Sequence, residues 1–375
     1  MAVLTEEQTM LRDAAKGWAS ESAPVGALRK LRDGKSKQSF DPAAWKEMGE
    51  MGWAGVVVPE DYDGSAFGYL GLGLILEEAG RTLAASPLLS TAMIGASALQ
   101  LGGSDAQKST WLPKIAIGEA VATLAIDEGS HHNPAKTALT ATKGASGYVL
   151  NGTKTLVLDG EAADLLIVAA RTSGSGTEGL TLFLVAGDAP GVTRTHLSLI
   201  DSRGAAQIAF DGVEVGADAV LGEVDKGWAL LEPVLDRAYA GLAAEMLGSA
   251  SAAFDITLEY IKTRTQFGQV IGTFQALQHR AAKWFTDIET TRSCVEAALE
   301  AFDAGGDTRA LASLAKAKAS DLVHLASNEM VQMHGGIGMT DAHDAGLFMK
   351  RARVTEALFG GASFHRDRYA RLMGF

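Results

Sequence analysis

The sequence predicts an α+β chain in three parts: an N-terminal helical domain over 1–118, a central antiparallel β domain over 119–225, and a C-terminal four-helix bundle over 226–375. Two patterns carry this reading. Apolar residues recur every three or four positions towards both ends of the chain, which is the helical period. Between those ends lie short β-branched and aliphatic runs separated by Gly, Asp, Asn and Ser, the spacing of antiparallel strands. A third observation agrees: 375 residues exceed what one hydrophobic core usually organises.

The helical start is signalled by caps. Thr5 with Gln8 and Ser104 with Gln107 form capping-box patterns, and Asp41 followed by Pro42 puts a cap before a proline at the first helical position. "YLGLGLILEEAGRTLA" and "STAMIGASALQLG" carry helical periodicity between them, and the domain is expected to end near Ile117. From Ala120 the runs "AVATLAI", "ALTATK", "YVLNGTKTLVL", "DLLIVAAR", "LTLFLVA", "VTRTHLSLI" and "AAQIAFDGVEV" read as strands. "TSGSGTEG", Thr172 to Gly179, is expected to be a hairpin tip, since no helix follows it. After Lys226 an amphipathic pattern persists far longer than a typical globular helix, which suits a bundle whose apolar faces are buried on neighbours.

Composition excludes several functions. A formal charge of −12 disfavours nucleic acid and anionic lipid, because both require clustered cations. Cys294 is the only cysteine, so neither a disulfide nor a thiolate metal cluster can form within the chain, and its helical neighbourhood reads as an inert buried thiol. The amino terminus lacks the basic segment and apolar run of a signal peptide, and no stretch approaches the roughly 20 apolar residues of a membrane helix. A cytoplasmic location is expected. His131 and His132 read as a surface turn with Asp127 and Glu128, while His324, His334 and His343 lack metal-binding spacing, so no metal is expected. No nucleophile elbow of the G-x-S-x-G kind is present.

Two stretches could carry chemistry. In "RTQFGQVIGTFQALQ", Arg264 offers a fork of donors suited to phosphate, Gln266 and Gln275 can bond polar ring edges, and Phe267 can stack. The same stretch reads equally well as a plain helix–helix connection. In "QMHGGIGMTDAHDAGLFMKRAR", Gly335, Gly336 and Gly338 lie between two helices. They are not the dinucleotide fingerprint, which needs a strand before the helix, but bare backbone N–H groups can hold a pyrophosphate. A simple helix break is the commoner meaning of such glycines.

Taken together, R-x-Q-F-G-x-x-I-x-x-F-Q at Arg264 to Gln275, Q-x-x-G-G-x-G at Gln332 to Gly338 and "NGTKTLVLDGEAADLLIVAAR" resemble the acyl-CoA dehydrogenase family over essentially the whole chain. The resemblance implies the family fold, FAD as cofactor, and an acyl-CoA thioester oxidised to its trans-2-enoyl form: a carboxylate takes the α-proton and the flavin takes the β-hydride. It implies that Arg264, Gln266, Phe267, Gln275, Gln332, Gly335 and Gly336 reach across a subunit interface to the ADP half of a neighbour's FAD. It also implies electron-transferring flavoprotein as the electron acceptor.

The chain departs from the family pattern on the flavin-ring side. Where the family writes a Thr-Glu-Pro loop, this sequence has "AIDEGSHHN", and Leu156, Val157 and Leu158 replace the usual Trp-Ile-Thr. The turn that usually carries the catalytic Glu reads Leu358-Phe359-Gly360-Gly361, so Phe359 stands in the base position. The alternative base and the Arg after it read Ala238 and Tyr239, leaving only Asp236 of the residues that relatives use near CoA. The expectation is a subunit of a heteromeric acyl-CoA dehydrogenase, a homologous chain supplying the base; the family includes bacterial heterotetramers of this kind, some acting on steroid-derived thioesters. Three alternatives stay open: a homo-oligomer with a base relocated to Glu245 or His365, a flavin monooxygenase on the same scaffold, and a non-catalytic structural subunit.

Overall fold

Helices occupy the chain from Glu6 to Ala116, strands from Ala122 to Leu221, and long helices from Gly227 onward in a computed structural model that describes residues 3–35 and 40–375. The first helices are α1 (Glu6–Glu21), α2 (Val25–Gly34), α3 (Pro42–Glu50), α4 (Tyr69–Arg81), α5 (Ala96–Gly102) and α6 (Asp105–Ala116). Both capping boxes form, at Thr5 and Ser104, and the Asp41 carboxylate accepts from the Ala43 amide ahead of Pro42. Leu89–Gly95 winds as a π-helix.

Eight strands form one sheet: β1 (Ala122–Ala125), β2 (Thr140–Lys143), β3 (Gly147–Leu158), β4 (Leu165–Arg171), β5 (Leu180–Ala186), β6 (Val192–His196), β7 (Ala205–Gly216) and β8 (Val220–Leu221). Their order is β6-β7-β3-β2-β4-β5-β8, with β1 added on β4. Most pairings are antiparallel, and Thr172–Gly179 is the connection of the β4–β5 hairpin. The exceptions are at β4: β1 runs parallel to it, Ala122 opposite Leu165, as the β2–β3 excursion between them permits, and β2 meets it in parallel at Thr140 and Arg171. The two-residue β8 is too short an apolar pair for period-two reading to find.

The C-terminal helices are α7 (Gly227–Thr263), α8 (Gln275–Ala304), α9 (Arg309–His334), α10 (Ala345–Ala357) and α11 (Ala362–Leu372), and the miniature strands β9 (Thr265–Gln266) and β10 (Gln269–Val270) stand between α7 and α8. The chain forms two compact units: one comprises the residues up to Arg29, Gly73–Ala84 and Tyr239–Phe375, the other Lys30–Leu72 and Ala85–Ala238. Both α4 and α7 contribute to each.

In the first unit α9 is central, with α8, α10 and α11 packed along it. Glycines let α4 and α7 touch backbone to backbone: a Cβ at Gly248 would sit 1.8 Å from the Glu77 carbonyl oxygen, and one at Gly80 would sit 2.1 Å from that of Glu245. Glu77 bonds Arg292 of α8 at 2.6 Å, and buried Arg351 of α10 meets Glu245 of α7 at 3.1 Å. In the second unit the apolar strands β4 and β5 are buried along nearly their whole length. No helix among the described residues is long and apolar enough to cross a membrane.

Candidate functional site

The end of α7 decides how the first motif is presented. The Arg264 amide donates to Tyr260 O, closing the helix, and Arg264 O then accepts from Ile271 N at 2.8 Å. A two-residue hairpin results, with Gln266 opposite Gln269. Its tip is Phe267 at φ +55° and Gly268 at φ +78°. Two consecutive positive φ angles match the twist of tight hairpins but suit Asn-Gly or Gly-Gly. A phenylalanine there costs about 1–2 kcal/mol of backbone strain, and burial does not repay it, for Phe267 is 90% exposed. Arg264, Gln266 and Gln275 are exposed beside it, and Arg264 makes no ion pair with any described residue.

The second motif ends α9. Gly335 adopts φ +61°, ψ −135°, a conformation open to glycine alone. Gly336 has ordinary backbone angles and nothing within 4 Å of where a side chain would begin, so the fold itself does not require a glycine there. Gly338 differs, because its added Cβ would meet the Val331 carbonyl oxygen and His334 Cβ at 3.0 and 3.1 Å. A helix break therefore accounts for Gly335 and packing accounts for Gly338, leaving Gly336 as bare backbone open to a ligand. Gln332 is exposed one turn earlier.

Tyr260 joins the motifs, although they lie some seventy residues apart. Its ring packs 4.3 Å from that of His334, and its hydroxyl donates to His334 O at 3.4 Å. Tyr260 is four residues before Arg264, and His334 is the residue before Gly335, so hairpin and glycine turn share one end of the bundle. The guanidinium, amides, aromatic ring and bare backbone of this surface fit the diphosphate and flat base of a nucleotide.

The ring-side positions lie in the other unit. A bulge between Lys154 and Val157 turns Leu156 to φ +52° at the surface, while Val157 and Leu158 are buried. All three side chains are hydrocarbon, and only that of Leu156 reaches the surface. The neighbouring loop spends its polar groups on itself: Glu128 accepts from Lys154 Nζ at 2.7 Å and from the Ala138 and Leu139 amides, and Asp127 accepts from Asn133 N and bonds His132 at 2.8 Å. This corrects the reading of both histidines as a surface turn. His131 is exposed, but the His132 side chain is buried against Asp127. Burial pushes Lys154 down to about 8, with Glu128 opposing. Among the described residues no cluster of three or more His, Cys, Asp or Glu side chains could hold a metal ion.

The residues expected at the base positions are packed ones. Phe359 is 5% exposed at φ +55°, followed by Gly360 at φ +92°. Tyr239 is buried with its ring 4.5 Å from His365 and with the Arg368 guanidinium 5.5 Å away, and Phe364 packs edge-on to His365. His365 Nε2 bonds the Phe359 carbonyl at 3.0 Å. Beneath the turn, Lys316 Nζ reaches Thr355 O, Glu356 O, Gly360 O and Ser320 Oγ at 3.0–3.3 Å. Burial pushes Lys316 down to about 7 despite Glu356. Of the relocated-base candidates, Glu245 is paired with Arg351, and His365 is wholly buried with its Nε2 donating to the Phe359 carbonyl. Ala238 and Asp236 are wholly buried in the other unit. Sequence reading missed Lys316, whose helical pattern of small residues gave no signal of a carbonyl cage.

Comparison with known proteins accounts for this combination. Profiles of the acyl-CoA dehydrogenase N-terminal, middle and C-terminal domains match residues 5–119, 125–213 and 225–374. A probable acyl-CoA dehydrogenase of Bacillus subtilis, YngJ, is 32% identical over 97% of both chains. The butyryl-CoA dehydrogenase of Megasphaera elsdenii superposes with TM-score 0.92 at 27% identity, covering 100% of this chain and 99% of that one. A solved variant of the steroid ACAD Tcur3481-Tcur3483 superposes with TM-score 0.89 at 32% identity over 98% of each chain.

Proposed function

We propose that this chain, which belongs to the acyl-CoA dehydrogenase family, is the arm-donating subunit of a heteromeric FAD-dependent dehydrogenase, a homologous chain contributing the catalytic base and the flavin-ring pocket. The observation that carries the reading is Phe267: a strained, exposed aromatic, useless to its own core, at the tip of a hairpin that also displays Arg264 and Gln266. FAD, when bound, supplies the hydride acceptor for α,β-dehydrogenation of an acyl-CoA thioester. Arg264 would pair with its diphosphate, Phe267 would cover its adenine end, and Gln266, Gln275, Gln332 and the amides of Gly335 and Gly336 would complete the grip.

This chain's second contribution is exclusion. Phe359, Tyr239 and His365 fill the place of a proton acceptor with packed rings, so α-proton removal belongs to the partner's carboxylate. The steroid ACAD relative supports a bulky, steroid-derived acyl group. Electron-transferring flavoprotein is the proposed acceptor and the cytoplasm the proposed compartment.

Co-expression with a homologous dehydrogenase chain tests the reading. The chain purified alone is expected to be colourless and inactive, and the co-purified complex yellow and active. A yellow preparation of the lone chain that oxidises thioester would end the proposal.

A further inference from the structure

The glycine turn continues into α10 through residues 339–344, and the way α10 is capped there is unusual. Asp344 holds the N-cap position but makes no capping bond. Its carboxylate is taken by Arg29 of α2, whose Nε and Nη2 donate to Oδ1 at 3.0 and 2.8 Å, while Nη1 donates to Asp341 O and lies 3.4 Å from the Asp341 carboxylate. The first-turn amide of Ala345 is instead satisfied by His343 Nδ1 at 3.1 Å. A ring nitrogen accepts a hydrogen bond only while it carries no proton, so this cap exists only with His343 neutral.

The His343 ring rests 4.3 Å from that of His334, the residue before Gly335, and Tyr260 covers His334 as well. His334 is 3% exposed, and its Nδ1 donates to Met330 O at 2.7 Å. Its Nε2 is buried with no hydrogen-bond partner among the described residues. Burial and the neighbouring His343 hold its proton affinity below the usual imidazole range, against the Met330 bond. Of the two rings His343 is the half-exposed one, and the charged groups of its own segment and of the helix packed on it are Asp341, Asp344 and Arg29.

We propose that His343 is an acid-labile cap of α10 which couples proton uptake to the grip of the adjoining glycine turn on the nucleotide. Protonation strips Ala345 of its acceptor, leaves an orphan amide at the helix start, and sets a cation against a ring that cannot hydrate. The 339–344 connection then loosens, and with it the turn at Gly335. The inference rests on reading that turn as part of the FAD arm.

The test compares FAD affinity of the two-chain complex at pH 7.5 and 5.5, alongside amide exchange of residues 339–347 corrected for the intrinsic effect of pH. The wild type is expected to lose FAD affinity at least about tenfold at the lower pH, with faster exchange. His343→Asn, whose side-chain oxygen can accept from Ala345 at either pH, is expected to hold FAD within about twofold at both. Affinity that is equal at the two pH values, or that falls equally in wild type and His343→Asn, overturns the cap. If Arg264→Ala leaves affinity at pH 7.5 unchanged, the arm reading has failed instead, and exchange decides alone: acid-accelerated exchange abolished by His343→Asn supports the cap, and exchange indifferent to pH overturns it.

Discussion

Two Phe-Gly pairs in this protein share the same sign of φ at both residues and differ in almost everything else. Phe267-Gly268 and Phe359-Gly360 both put phenylalanine at φ +55° before a glycine of positive φ. The first ring is 90% exposed and the second 5%. At Phe359 burial outweighs the strain, because a packed aromatic contributes several kilocalories and His365 and Lys316 fix the carbonyls of the turn. At Phe267 the ring has only an edge-on contact with Phe274, centroids 6.2 Å apart, to set against it. Equal φ with unequal burial separates a turn repaid by packing from one whose strain the proposed arm would account for.

The same substitution at both sites would break or sharpen that contrast. Phe359→Gly removes a buried ring and is expected to cost about 3–5 kcal/mol, less about 1 for relieved strain; a urea midpoint unchanged from wild type would remove the distinction. Arg264→Ala probes the exposed turn's purpose and is expected to weaken FAD retention by the complex by about 1.5–3 kcal/mol, the worth of hydrogen bonds to a charged group, without altering the stability of the lone chain.

The cage under the buried turn has a pH signature. Lys316 is held at about 7 in the folded chain against the ordinary lysine value of 10.5. Between those values the unfolded chain binds the extra proton, so this residue's contribution to stability is complete above 10.5 and is lost as pH falls towards 7. Urea midpoints at pH 7, 8 and 9 should therefore rise for the wild type relative to Lys316→Met, by on the order of 1 kcal/mol per pH unit; parallel curves would refute the assignment. The smallest expected effect has the opposite sign from the rest. Phe267→Gly should stabilise the lone chain by about 1 kcal/mol while loosening FAD in the complex, and a destabilised lone chain would mean that the exposed ring serves the fold after all.

Much of this was legible beforehand. Periodicity located the helices and strands, and both capping boxes were read from Thr5-Gln8 and Ser104-Gln107, because those signals are local. The parallel placement of β1 was not legible, since pairing direction is a property of the whole sheet. His132 was misjudged because a histidine in a polar loop looks solvated until the loop folds over it. His334 and His343 looked scattered, yet a turn of glycines brings their rings together.

The residue order by itself determined the family and the succession of helical, strand and helical regions along the chain. These follow from side-chain identity and short-range spacing. Only the tertiary structure decided that Phe359, Tyr239 and His365 pack together, that Arg264 and Gly335 share one end of the bundle, and that Lys316 and His343 hold helix ends. Those facts depend on which distant groups burial forces into contact, and the free energy of burial is set by the surroundings a residue meets after folding.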